Sequence, residues 1–165
     1  MILTIHALVG TTAAGLFPGN PAGAFLSGLA SHYLIDRIPH YEYELASKSL
    51  DTESEAKVCL ELNRHLALDF LKIGLDFSVG IFLSWLLFHN TLPLPIIFLG
   101  ILGGVLPDFG QFLYLVLRCF PFNKIHKIHR FFHSPVALEQ KKWLGYFSQF
   151  IVLFFILAVY LYLNP

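Results

Sequence analysis

Three stretches of this chain, Leu66 to Phe88, Ile96 to Phe120 and Trp143 to Leu163, are each long and apolar enough to cross a bilayer core of about 30 Å as a helix. That property leaves few folds open, because only helices and closed barrels satisfy their own backbone inside lipid. Composition agrees: 56% of the 165 residues are hydrophobic, 17 are Phe, and mean hydropathy is +0.64. A soluble domain is nearer to about 45–50% apolar. The expected fold is all-α, a small polytopic helical bundle forming a single integral membrane domain over residues 1–165.

Two shorter apolar segments precede these spans. Residues 2–17 are rich in small side chains and stop at Pro18-Gly19-Asn20-Pro21, with no basic run ahead of them, which argues for a retained helix rather than a signal peptide. Asn20 reads as an N-cap with Pro21 in the first turn, opening a second helix over residues 21–38 that Pro39 limits. Such a helix rises only about 25 Å, so the pair reads as a hairpin that spans poorly or re-enters.

Charge is informative through its placement, since the formal net charge is zero. That balance offers no basic field for nucleic acid, which is not an expected partner. Residues 41–64 form the one markedly polar connector, expected as a loop followed by a surface helix from about Thr52. Residues 121–142 form a second, basic and His-rich connector, whereas the 89–95 turn carries no Lys or Arg. The positive-inside rule then puts both polar connectors in the cytoplasm of a cell membrane, bacterial or archaeal in this reading. Cys59 and Cys119 are far apart in sequence and suggest neither a redox pair nor a zinc ribbon.

Only 13% of the residues are charged, yet several acids and histidines sit in or beside apolar helices. Ionisable groups at membrane depth are functional candidates by default. His32 and Asp36 lie one turn apart on one helix face, with His40 just beyond Pro39. His126, His129 and His133 fall close together on a helical wheel, and His129 and His133 have the i,i+4 separation of helix-borne zinc pairs. Asp108 follows Pro107, whose ring removes a backbone donor, and Asp76 reaches a similar depth from the preceding span. Asp69, beside His65 and Lys72, reads as a supporting residue. His6 enters from the first helix, while His89 lies on the opposite side.

Sequence islands also resemble known proteins. His6, the Gly-Gly-Val-Leu-Pro-Asp run ending at Asp108, and His129-Arg130-Phe131-Phe132-His133-Ser134 resemble the scattered histidine, LPD and HR…HS elements of the membrane-bound metal-dependent hydrolase family. Gly110 stands where that family has a second acid. The segment Ser31 to His40 is similar to the HYxxD…PH element of zinc-dependent phospholipase C-like proteins. The first resemblance implies His6, Asp108, His129 and His133 as metal ligands, and the second implies His32, Asp36 and His40. The implied cofactor is Zn²⁺ or another divalent transition metal.

The expected activity is therefore metal-dependent hydrolysis of a phosphoester or ester in a membrane lipid or lipid-linked substrate, through a metal-activated water. Asp36 or Asp76 would accept its proton and Arg130 would neutralise phosphate charge. Two non-enzymatic readings use the same residues: a metal- or proton-handling membrane protein, and a structural metalloprotein. The apolar run beyond Asp76 and Asp108 argues against a continuous ion path. Ser134 reads as a cap rather than a ligand.

Overall fold

The computed structural model describes residues 1–50, 58–117, 119–136, 138 and 141–163. Among these, six helices occur in the order α1 (Leu3–Ala14), α2 (Pro21–Ile35), α3 (Arg64–Phe88), α4 (Leu94–Leu117), α5 (Phe122–Phe132) and α6 (Lys142–Leu163). Two three-residue strands, β1 (Lys48–Leu50) and β2 (Val58–Leu60), pair antiparallel with Lys48 opposite Leu60. The surface helix expected from Thr52 falls on residues 51–57, outside the described residues, and where the chain resumes it is strand rather than helix. Arg118, counted in the second basic connector, also lies outside them.

Asn20 caps α2 as its sequence implies, accepting from the Gly23 amide at 3.0 Å, with Pro21 at the first helical position. Asn63 does the same for α3 through the amides of His65 and Leu66. The first hairpin is tighter than expected, because α1 stops at Ala14 and α2 at Ile35.

The role of α1 differs from that of a re-entrant surface hairpin. Eleven of its 12 residues are buried, and it packs on α2, α3, α4 and α6. A helix enclosed on every side is apolar all round, which is why its sequence carries no polar stripe. At about 18 Å it is too short to span on its own, so it forms the core post of the bundle.

Small residues set how closely the helices approach. A Cβ on Gly100 would stand 2.7 Å from the Ala14 Cβ and 2.8 Å from the Thr11 Cα, and one on Gly103 would stand 2.8 Å from the Leu29 amide nitrogen. On Gly104 it would strike the His6 carbonyl. This seam brings α1 and α2 onto the α4 backbone in the manner of glycine-mediated membrane helix contacts. It thereby lays His6 and His32 one turn from Asp108.

Two helices among the described residues are long and apolar enough to cross a membrane, Leu94–Leu117 and Lys142–Tyr162. The third expected span, α3, is not one of them, although it is 25 residues long. Its first half carries Asp69, Lys72 and Asp76, and each is tied to protein. Asp69 accepts from the Ala46 amide at 3.1 Å, the Ser47 amide at 2.8 Å and the Ser47 hydroxyl at 2.6 Å. The Lys72 ammonium donates to the Glu44 carbonyl at 3.2 Å. These bonds fasten the 43–47 connector along the helix, and those to Asp69 supply the partners that its buried charge requires.

The outward faces are apolar. On α6, Phe150, Phe154 and Leu161 are 66%, 77% and 65% exposed, and α3 and α4 expose Leu71, Phe82, Phe98 and Phe109. An exposed apolar surface of this extent suits contact with lipid. Within α6, Gln149 is buried and accepts from the Ile2 amide while donating to the Tyr41 and Gly145 carbonyls, which ties the last helix to the start of α1.

Candidate metal centre

Asp36 is the centre of the cluster. It caps the C-terminal end of α2, is 1% exposed, and has imidazoles from three other places on the chain converging on it with His32. Its Oδ1 lies 3.2 Å from His6 Nε2 and its Oδ2 lies 3.2 Å from His32 Nε2 and 3.1 Å from His129 Nε2. Asp108, 21% exposed on its side chain, faces the same rings at 3.4 Å from His6, 3.9 Å from His32 and 3.1 Å from His129. The rings of His6 and His32 stack with centroids 4.1 Å apart.

Tautomers follow from the backbone. His32 Nδ1 is 2.7 Å from the Gly104 carbonyl oxygen, which can only accept, so Nδ1 carries a proton and Nε2 faces the two carboxylates. The same arrangement recurs at His40, whose Nδ1 is 2.7 Å from the Ile38 carbonyl, and at His133, whose Nδ1 is 3.1 Å from the Ser134 carbonyl. A backbone carbonyl on the far nitrogen is how metal-binding histidines are held.

Imidazole nitrogens aimed at carboxylate oxygens call for a cation between them, a proton or a metal ion, and the Met1 ammonium already stands 3.5 Å from Asp36 Oδ1. Apart from these ion-pair contacts, both oxygens of Asp36, both ring nitrogens of His6, and Nε2 of His32 and His40 are buried without a hydrogen-bond partner among the described residues. Unpartnered buried polar atoms are rare in proteins, and here they face one another. Tetrahedral coordination with bonds of about 2.0–2.1 Å places neighbouring donor atoms about 3.3 Å apart. The 3.2, 3.2 and 3.4 Å separations from His6 to Asp36, His32 to Asp36 and His6 to Asp108 match that edge. His6, His32, Asp36 and Asp108 thus form a donor set that could hold one divalent ion, whose charge the two carboxylates would balance.

His129 and His133 do not share one donor group, although their ring centroids are 5.4 Å apart. Helix α5 ends at Phe132, with His133 as its C-cap. Its Nε2 meets Glu42 Oε1 at 2.5 Å instead, and its donor groups with Asp36 and His40 rather than with Asp108. His129 hydrogen-bonds Asp108 through Nε2 at 3.1 Å, beside the inner donor set. Burial works against charge on this imidazole, but the carboxylates of Asp108 and Asp36 push its pKa up to about 9.

Asp76, expected to accept a proton, is engaged elsewhere. Its carboxylate accepts from the Thr4 amide at 3.1 Å, the Thr4 hydroxyl at 2.7 Å and the Tyr43 hydroxyl. It fastens α3 to the start of α1, two residues from His6. Arg130 is exposed on the wall of a cavity next to His129 and His133. His126 is buried with its ring stacked on Tyr114. Ser134 accepts from the Val136 amide at 3.2 Å, closing a turn rather than capping a helix, and donates its amide to the Asp36 carbonyl at 2.8 Å.

Sequence reasoning missed Glu42 and Tyr43. The available signal was Glu42 two residues beyond His40, a spacing that puts both side chains on one side of an extended segment.

Two cavities meet at the cluster. One, of about 410 Å³, runs between α3 and α4 and is walled by Phe70, Phe77, Leu102 and Phe109, with Asp108, Glu42 and His129 also on its lining. The other, of about 480 Å³, is more polar and is lined by His40, His133, Arg130 and Lys48. Glu42, Tyr43, Gln111 and His129 border both.

The chain matches no family model, no curated protein and no solved structure.

Proposed function

We propose that this protein is a membrane-embedded, metal-dependent hydrolase acting on a phosphoester or ester of an amphiphilic, lipid-like substrate. The observation that carries the reading is the position of Asp108. It is the partly exposed member of an otherwise enclosed donor set, and it borders an apolar cavity between two lipid-facing helices. A structural metal site is closed on all sides, whereas a catalytic one keeps a side open to substrate.

The neighbouring residues suit each part of an amphiphile. The phenylalanine-walled cavity accommodates an apolar tail, and Lys48 and Arg130 on the second cavity accommodate an anionic head. His6, His32, Asp36 and Asp108 would hold the ion, and zinc suits an imidazole-rich set. Once bound, the ion would lower the pKa of a coordinated water towards 7 and polarise a phosphoryl or carbonyl oxygen. His129, hydrogen-bonded to Asp108, would keep that carboxylate oriented towards the substrate. Basic residues Lys124, Lys127, Arg130, Lys141 and Lys142 flank the cluster in sequence, which supports a site in the cytoplasmic half of the membrane.

The test uses the full chain in lipid nanodiscs containing phosphatidate or a neutral diacyl ester. Release of phosphate or fatty acid that a chelator abolishes, Zn²⁺ restores, and His32→Ala and Asp108→Asn each remove supports hydrolysis. Stoichiometric metal with no release from either lipid class overturns hydrolysis. That result favours the structural metalloprotein, for which the complete burial of His6, His32 and Asp36 is the supporting observation.

A further inference from the structure

The seven candidate ligands do not converge on one point. His6, His32 and Asp108 form one group with Asp36, His40 and His133 form another with it, and His6 and His40 both face Asp36 Oδ1. We propose a second metal site formed by Asp36, His40, Glu42 and His133, joined to the first by the Asp36 carboxylate as a bridge, so that the protein holds two divalent ions. The proposal rests on the metal reading of the cluster and not on hydrolysis.

Four observations carry it. His40 Nε2 is 3.9 Å from Asp36 Oδ1 and 3.8 Å from Glu42 Oε1, and His133 Nε2 meets the same glutamate oxygen at 2.5 Å. The rings of His40 and His133 face each other with centroids 4.8 Å apart, and backbone carbonyls hold both Nδ1 atoms so that both Nε2 atoms turn inward. The Nε2 of His40 and both oxygens of Asp36 are buried and lack a hydrogen-bond partner among the described residues, and the direct contact between His133 and Glu42 is one that an entering ion would replace. The amide of Ser134 is bonded to the Asp36 carbonyl at 2.8 Å, so the loop bearing His133 is anchored to the bridging residue itself.

The number of donors distinguishes this arrangement from a single crowded ion. A lone ion takes about four to six donors, whereas His6, His32, Asp108, His40, Glu42 and His133 together with Asp36 make seven side chains. The partly exposed side chains of Glu42 (46%) and His133 (21%) give the second ion access to the polar cavity. Bridged ion pairs of this kind clamp the attacking and leaving oxygens of a displacement.

The test is metal counting on the full-length chain, purified in detergent and reloaded with Zn²⁺ or Mn²⁺. Two ions per chain are expected by elemental analysis, and the Mn²⁺-loaded protein should give a spin-coupled electron paramagnetic resonance signal. His133→Gln should bring the count to one ion per chain and leave the uncoupled six-line spectrum of an isolated Mn²⁺. A wild-type count of one, or two ions without spin coupling, overturns the proposal. Both wild-type measurements decide the matter even where the variant does not fold. Neither depends on turnover, so a hydrolytically silent protein with two coupled ions would refute the activity and retain this site.

Discussion

His32 Nδ1 and the Gly104 carbonyl oxygen stand 2.7 Å apart, joining a ligand on α2 to the backbone of α4 at the point where α1 also crosses. Gly104 therefore sets the position of two histidines at once. A Cβ there would meet the His6 carbonyl carbon at 3.2 Å and its oxygen closer still. Gly104→Ala should lower thermal stability by about 1–3 kcal/mol, the usual cost of overpacking, and reduce bound metal in parallel. Gly74→Ala, where an added methyl meets nothing within 4 Å, should instead stabilise α3 by about 0.5–1 kcal/mol. Thermal melts of both variants in detergent, with metal analysis alongside, check the contrast.

An ion held by elements as separate as α1, α2 and α4 binds the folded chain far better than the unfolded one. Stabilisation then grows with free metal, reaching about 2.7 kcal/mol at a hundredfold excess over Kd. A chelator should accordingly lower the melting temperature of the wild type by several degrees. In Asp36→Asn the same chelator should have little effect, because the shared carboxylate charge is gone. An unchanged wild-type melting curve would count against any metal here.

Asp36 and Asp76 separate metal binding from architecture. Asp76→Asn weakens the joint to Thr4 and Tyr43, so it should cost about 1–3 kcal/mol of stability while leaving the metal content intact. Asp36→Asn should do the reverse in relative terms, with most of its bound metal lost. Elemental analysis paired with chemical denaturation distinguishes the two.

Asp69 is buried under three donors from Ala46 and Ser47, and removing it leaves those groups unpaired. Asp69→Ala should cost about 2–4 kcal/mol and release the 43–47 connector. Hydrogen exchange at the Ala46 and Ser47 amides should rise well before that of α4.

Arg130 lies on the polar cavity outside the donor sets. Under the hydrolase reading, Arg130→Ala should raise KM for an anionic lipid substrate by about tenfold with kcat largely retained, the pattern of a lost ground-state contact. Metal content should not move.

Much of the centre was legible because it is written locally. His32 and Asp36 share a helix face one turn apart, Asn20 and Pro21 fix where that helix starts, and Asp108 stands out as a carboxylate in an apolar run. The features that were not legible depend on long-range meetings. Glu42 lies two residues beyond His40, but its meeting with His133 joins distant parts of the chain and has no local signal. His133 continues the α5 spacing in sequence, yet the helix ends one residue earlier and the ring turns to a different partner. Asp76 looked catalytic by depth alone; the hydroxyls of Thr4 and Tyr43 that claim it come from distant parts of the chain. Likewise α1 reads as part of a membrane hairpin because being apolar all round describes a helix in lipid and one enclosed by protein equally well.

The enclosure of α1 bears on how the protein is made. Ribosomes release this helix before every element that later surrounds it, so during synthesis its His6 imidazole has no carboxylate to face. Asp108 and His129 emerge roughly a hundred residues later, which makes completion of the metal centre a late event in biogenesis. A chain arrested before α4 would carry an exposed, too-short apolar helix and an incomplete ligand set, a form that membrane quality-control proteases are equipped to remove.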